Sequence, residues 1–191
     1  YQGFPRTMCT SVNEEVVHAI PSKEKILKAG DIVSLDLGVI YKGYYSDMAR
    51  TIPVGEVAPE TSRLVRVCRE ALRLGTEKAR PGVTTGDIGN TIQRFVESHG
   101  YGVVRELCGH GIGKELHEEP QVLNYGERKA GVKLEQGMVI CIEPMITMGD
   151  FIVKRAKDGQ AFVTRDGSLS AHFENTVALT SSGSEVLTNL H

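Results

Sequence analysis

Two successive stretches, Asp31 to Ile40 and Gly43 to Val54, alternate apolar with small or polar residues between glycine-bearing turns. A period of two, rich in β-branched and aromatic residues, predicts neighbouring antiparallel strands. The period then changes. From Glu60 to Ala79, the residues Leu64, Val65, Val67, Cys68, Ala71, Leu72 and Leu74 recur at helical spacing until Pro81-Gly82 ends the run. Thr85 is placed to cap a second helix, which carries Ile88, Ile92, Phe95 and Val96 on one side and ends at Gly100. Strand character returns over Gly137 to Thr147 and Ala171 to Thr180. Between them lies a hairpin-like stretch with Lys157-Asp158-Gly159 and Arg165-Asp166-Gly167. No linker, low-complexity tract or short repeat divides residues 1–191, so the expectation is one α+β domain, an antiparallel sheet covered by helices.

Composition narrows the function classes. Charged residues make up 24% and apolar ones 40% of the 191 residues, an ordinary globular mix. The formal net charge is -2, with Lys and Arg scattered and outnumbered, so nucleic acid is not expected as substrate. No apolar stretch approaches the roughly 18 residues of a membrane span, and no basic segment followed by an apolar region opens the chain. A cytoplasmic location follows as the expectation. Cys9, Cys68, Cys108 and Cys141 form no CxxC pair, which suits reduced thiols. The sequence starts at Tyr1 rather than methionine, and a turn-like motif follows almost at once, which points to a segment preceding it.

Acids stand where these strands should be apolar. Val33, Leu35, Leu37 and Val39 share one face, which puts Ser34, Asp36 and Gly38 together on the other. In the partner strand Tyr45, Asp47, Ala49 and Thr51 fall on one face, again with a carboxylate mid-strand. Glu143 interrupts the apolar run Met138 to Ile146, and Glu174 lies inside His172 to Leu179. One such acid is ordinarily just solvent-facing. Four close together could not all stay ionised without cations between them. Carboxylates with one imidazole suit divalent Mn, Fe, Co or Zn, and carboxylates readily bridge two ions, so two divalent metal ions are the expected cofactor.

His110 supplies the imidazole in Cys108-Gly109-His110-Gly111-Ile112-Gly113, where the flanking glycines permit close backbone approach to a ligand. The same loop could cradle phosphate, but no GxxxxGK[ST] pattern accompanies it. His117 follows in His117-Glu118-Glu119-Pro120. His18, before Ile20-Pro21, is a third candidate with a structural role as the simpler reading. His99, His172 and His191 look incidental, although His172 is close to Glu174.

The ordered set of motifs resembles the type I methionine aminopeptidases, the pita-bread metalloproteases, over nearly the whole chain. It comprises Ser11-Val12-Asn13 before His18-Ala19-Ile20-Pro21, the Asp36 and Asp47 pair, and Gly109-His110-Gly111-Ile112-Gly113 with His117-Glu118-Glu119-Pro120. Ile142-Glu143-Pro144-Met145 and Ser168-Leu169-Ser170-Ala171 before Glu174 complete it. The resemblance implies two pseudo-symmetric αββ halves around a curved sheet, with the first elements of the family's domain lying before Tyr1. It implies that Asp36 chelates one metal, Asp47 and Glu174 bridge two, and His110 and Glu143 complete the second shell. A water shared by both cations becomes hydroxide near neutral pH and attacks the scissile carbonyl. Glu143 is then the proton shuttle, and His18 and His117 hydrogen-bond the substrate amide and the developing oxyanion. Tyr1, Phe4, Cys9 and His18 fall at the methionine pocket. Peptide or nascent-protein N-termini with a small second residue are the implied substrates, with association at the ribosome and a monomeric state. Ala19, Leu116 and Gln160 depart from the family's usual residues, at the rim rather than the ligands.

Two rivals remain. Prolidases and proline-specific aminopeptidases share the metal set, but usually carry a large extra N-terminal domain and a further histidine where this chain has Glu106-Leu107. Inactive pita-bread binding modules lose ligands, whereas all five positions here are filled.

Overall fold

The computed structural model describes residues 3–189. Its strands open with β1 (Cys9–Val12), β2 (Glu15–Val17), β3 (Ile32–Tyr41) and β4 (Tyr44–Pro53). Helices α1 (Pro59–Lys78) and α2 (Thr85–Ser98) follow, then β5 (Gly102–Val103), β6 (Gly109–Gly111) and β7 (Glu118–Val122). The rest comprises β8 (Val139–Ile142), β9 (Met145–Thr147), β10 (Val153–Arg155), β11 (Phe162–Thr164), β12 (Ser170–His172), β13 (Glu174–Thr180) and β14 (Gly183–Val186). An eight-stranded sheet runs in the order β1-β3-β4-β13-β8-β6-β7, with β14 also on β13. Two three-stranded sheets, β10-β11-β2 and β12-β9-β5, accompany it.

The amphipathic face of α1 supplies Leu64, Val65, Cys68, Ala71 and Leu72, which pack with Ile88, Ile92 and Val96 of α2 against Ile140, Ile142 and Val177 of the large sheet. Burying each such Leu or Ile contributes roughly 1.5–3 kcal/mol, so this three-layer contact anchors the sheet. The second helix starts differently from the sequence expectation. Thr84, not Thr85, is its N-cap: the Thr84 hydroxyl accepts from Asp87 N and the Asp87 carboxylate accepts from Thr84 N. Only Thr84 has an acid three residues on, which completes the reciprocal cap.

A second correction concerns two long strands. Gly137 to Thr147 divides at Glu143-Pro144 into β8 and β9, and Ala171 to Thr180 divides at Phe173 into β12 and β13. In each case the two pieces enter different sheets: β8 pairs β13, while β9 pairs β12. Proline has no N–H for a ladder, so Pro144 fits the first break. Both breaks fall at or beside candidate site residues. The expected hairpin is β10 and β11, with Lys157-Asp158-Gly159 in its turn.

Candidate metal centre

The pairing of β3 with β4 matches Gly38 with Asp47, Asp36 with Ala49 and Ser34 with Thr51, so the two acids share one face on a diagonal. That face is the enclosed one. Ser34 and Thr51 are buried and share a 2.8 Å hydroxyl contact, Ala49 is fully buried, and Asp47 is only 8% exposed. Both faces open toward the hairpin tip, where Val39 on one and Ile40 on the other are exposed.

Glu174 opens β13 and is also matched with Ala49, from the opposite side to Asp36. Arg50 clamps this crossing: it donates to the backbone oxygen of Glu174 and to Asn175 Oδ1 at 2.7 Å. Glu143 sits at the end of β8, where its carbonyl leaves the ladder and accepts a 3.0 Å hydrogen bond from Asn124 Nδ2. The strand break therefore keeps its backbone oxygen satisfied.

His110 lies mid-β6 with its Nδ1 2.8 Å from Gly111 O, which leaves Nε2 free to face the acids. The flanking glycines serve a purpose other than the expected approach to a ligand. A Cβ on Gly109 would stand 2.2 Å from Cys141 O, and one on Gly111 2.2 Å from Glu119 O. Glycine here lets neighbouring strands close on β6, and the imidazole is placed by that packing.

Ligand-capable atoms of Asp36, Asp47 and Glu174 lie within 4.8 Å of one another, and those of His110, Cys141 and Glu174 form a second such group. Glu174 belongs to both. Glu143 Oε1 is 3.5 Å from His110 Nε2, and Glu143 Oε2 is 3.7 Å from His172 Nε2. Burial, reinforced by the other carboxylates, pushes Asp36 up to about 7 and Asp47 to about 6. Burial alone raises Glu143 to about 8, and burial plus the other three acids hold Glu174 well above its usual range. The same burial lowers His110 and His172 to about 4, so their contacts with Glu143 are not ion pairs at neutral pH. Glu174 Oε1 is buried without a hydrogen-bond partner among the described residues. Concentrated carboxylate with an orphaned oxygen and one inward imidazole fits a divalent cation set, since cations relieve the repulsion that otherwise forces these groups neutral.

A cleft of about 370 Å³ opens onto Asp36 and Asp47, within the size of small-ligand sites. His18, His117, Phe4 and Cys9 line it, as do the departing residues Leu116 and Gln160. Ala19 does not; it is fully buried behind. His18 holds a positive φ of 61° and meets Phe162 edge-on, and burial lowers it to about 4. His117 stacks edge-on against His110 at 4.3 Å and is likewise lowered by burial. Tyr1 lies outside the described residues. All five acid and imidazole positions therefore converge, with His18, His117, Phe4 and Cys9 at the adjoining cleft. Sequence reasoning missed two participants. Cys141 alternates onto the same face as Glu143, a signal that was available, whereas the burial of His172 beside Glu143 depends on the strand break.

Comparison with known proteins settles the kinship. The sequence profile of metallopeptidase family M24 matches residues 1–181. The chain belongs to metallopeptidase family M24. M24 metallopeptidases use divalent metal, and the two groups that share Glu174 are candidates to hold it here. The methionine aminopeptidase of Clostridium acetobutylicum is 52% identical over 188 residues, covering 98% of this chain and 75% of that relative. The crystal structure of methionine aminopeptidase from Rickettsia prowazekii superposes with a TM-score of 0.96 at 46% identity, over 99% of this chain and 76% of that one. Prolidase from Pyrococcus furiosus shares the fold at a TM-score of 0.78 and 28% identity, over 97% of this chain but 50% of its own. The M24 fold here is the expected pita-bread architecture, a curled antiparallel half-barrel sheet with two helices. Among the described residues no helix is long and apolar enough to cross a membrane.

Proposed function

We propose that this M24 member is a methionine aminopeptidase, removing the N-terminal methionine of peptides and nascent proteins whose second residue is small. The observation that carries the reading is the sharing of Glu174 between two ligand groups, one of carboxylates and one containing His110, beside a cleft of about 370 Å³. Identity of 52% to a methionine aminopeptidase, against 28% to a prolidase, supports methionine over proline specificity.

In this reading Asp36, Asp47, His110, Glu143 and Glu174 hold two divalent ions, of Mn, Fe, Co or Zn. When bound, such ions supply Lewis acidity toward a carbonyl and acidify water. The protein's own groups do the rest. Glu143 is then also the proton shuttle, taking up a proton at a carboxylate oxygen and returning it to the leaving amine. His18 and His117, both shifted by burial toward the neutral imidazole, are the candidates to donate an N–H to substrate oxygen or to the charge that develops on it. Cys9 and Phe4 offer a thiol and an aromatic wall, surfaces that suit a flexible thioether side chain. Four free cysteines suit a reducing, cytoplasmic setting.

The test is turnover of Met-Ala-Ser and Ala-Pro peptides by protein stripped of metal and then supplied with Co, Mn or Fe. Met-Ala-Ser alone should be cleaved, with Asp47→Ala inactive and His117→Ala slowed about 100-fold or more. Cleavage of Ala-Pro alone would instead assign a proline-specific enzyme, and absence of both turnover and metal binding a binding module.

A further inference from the structure

His172 has no assigned part in the reading above, yet its surroundings require one. The imidazole is 2% exposed, and both Nδ1 and Nε2 are buried without a hydrogen-bond partner among the described residues. Burying unpartnered polar atoms is costly, and a ring that only filled space would be better replaced by an apolar one. Its backbone is fixed on both sides, because Thr51 Oγ1 accepts from His172 N and donates to His172 O, each at 2.8 Å. Thr51 is in turn held by Ser34 at 2.8 Å. The ring therefore has a rigid base on β12, pinned to β3 and β4, and it faces the break at which Glu143 leaves β8.

Two imidazoles flank the Glu143 carboxylate, one at each oxygen: His110 Nε2 at 3.5 Å from Oε1 and His172 Nε2 at 3.7 Å from Oε2. They are not equivalent. His110 Nδ1 has a backbone acceptor in Gly111 O, which places its proton there and leaves Nε2 as a lone pair. No backbone acceptor fixes the tautomer of His172, so its Nε2 is free to carry the proton. We infer that His172 is a positioning residue: its Nε2, 3.7 Å from Glu143 Oε2 and just beyond hydrogen-bond reach, closes on that oxygen to donate Nε2–H when Glu143 is ionised, and thereby fixes which carboxylate oxygen, Oε1, is presented beside His110. This rests on the proposed function, in which Glu143 is both ligand and proton carrier. Partners of this kind behind ligating groups are commonly worth 10- to 100-fold in metal affinity or activity.

The experiment compares wild type with His172→Gln, which keeps an N–H donor at similar reach, and His172→Leu, which keeps volume without a donor. Readouts are kcat and KM on Met-Ala-Ser, affinity for Mn and Co by calorimetry on metal-stripped protein, and melting temperature. His172→Leu should lose about 10-fold or more in kcat with KM within about twofold, and should bind cation about 10-fold more weakly. His172→Gln should recover most of both. Should His172→Leu fail to fold by circular dichroism, His172→Asn, whose amide is too short to reach Glu143, takes its place with the same expected losses. Equal losses in Gln and Leu variants, tracking a lowered melting temperature, would reduce His172 to core filler and overturn the inference, as would an unaltered Leu variant. In either case wild-type turnover leaves the aminopeptidase reading standing. A wild type that neither binds cation nor cleaves Met-Ala-Ser would remove that reading and this inference together.

Discussion

Asp36 and Glu174 are both cross-strand partners of Ala49, one from each neighbouring strand, so the two carboxylates extend over a residue that contributes only a methyl group. Ala49 is fully buried, and Asp47 lies two residues before it on the same face. The space in which the three acids meet thus exists because position 49 is small. A leucine there would fill it. Ala49→Leu should bind Mn or Co at least about 10-fold more weakly in calorimetry, at a stability cost of about 1–3 kcal/mol for overpacking. Wild-type affinity in a folded variant would show that the acids do not converge over this residue.

The metal-free protein should lose stability as pH rises from about 7 to 8. Asp36, Glu143 and Glu174 have folded pKa values raised above their unfolded ones, so between those values the native state holds more protons than the unfolded chain. Their effect is a falling stability with rising pH, up to about 7 for Asp36 and about 8 for Glu143. Buried His18, His110, His117 and His172, all lowered by burial, act oppositely, and their effect fades as the unfolded imidazoles lose their protons around 6.5. From about 7 to 8 the acids prevail. The melting temperature of stripped protein should fall across this window, and saturating Mn or Co should abolish the fall, since bound cations keep the carboxylates ionised at every pH in it. A rising or flat curve without metal would contradict the crowding of acids.

Much of this centre was legible in alternation alone. Asp36 and Asp47 stood out because each occupied a mid-strand position sharing a face with small residues, and the register bears that out. Glu143 and Glu174 stood out as acids within apolar runs, but period-two reasoning gave no sign that each run changes sheets beside the acid. Pro144 marks the first break, but the partner that takes up the Glu143 carbonyl there, Asn124, is 19 residues away and set by tertiary packing. His172 was passed over for the same reason. The glycines around His110 were noticed correctly as points of close approach, yet which groups approach, Cys141 O and Glu119 O, is a matter of tertiary pairing.

The break itself can be weakened. Asn124 is fully buried, and its Nδ2 bond is what satisfies the Glu143 carbonyl. Asn124→Ala leaves that oxygen unpaired, which costs about 1–3 kcal/mol. Denaturant unfolding should show this loss, and turnover should fall along with it because the Glu143 backbone is no longer held. Full activity with unchanged unfolding would mean that water replaces the amide without penalty.

Specificity at the cleft rim offers the last test. Leu116 and Gln160, two of the residues that depart from the family's usual ones, line the cleft with His117, so the mouth here is bounded by flexible side chains of moderate size. A rigid indole at position 160 would occupy volume that the residue after methionine otherwise enters, without touching Asp36, Asp47 or the strands that carry them. Gln160→Trp should therefore leave kcat/KM for Met-Gly-Ser within about twofold of wild type, while lowering it for Met-Val-Ser or Met-Thr-Ser by about 10-fold. Losing the fit of one or two methyl groups is worth about 1–3 kcal/mol in such a pocket, which is the size of the discrimination expected. Leu116→Phe should act in the same direction. Equal losses on all three peptides would place residue 160 in methionine binding itself, and no loss on any would place it away from the path of the second residue.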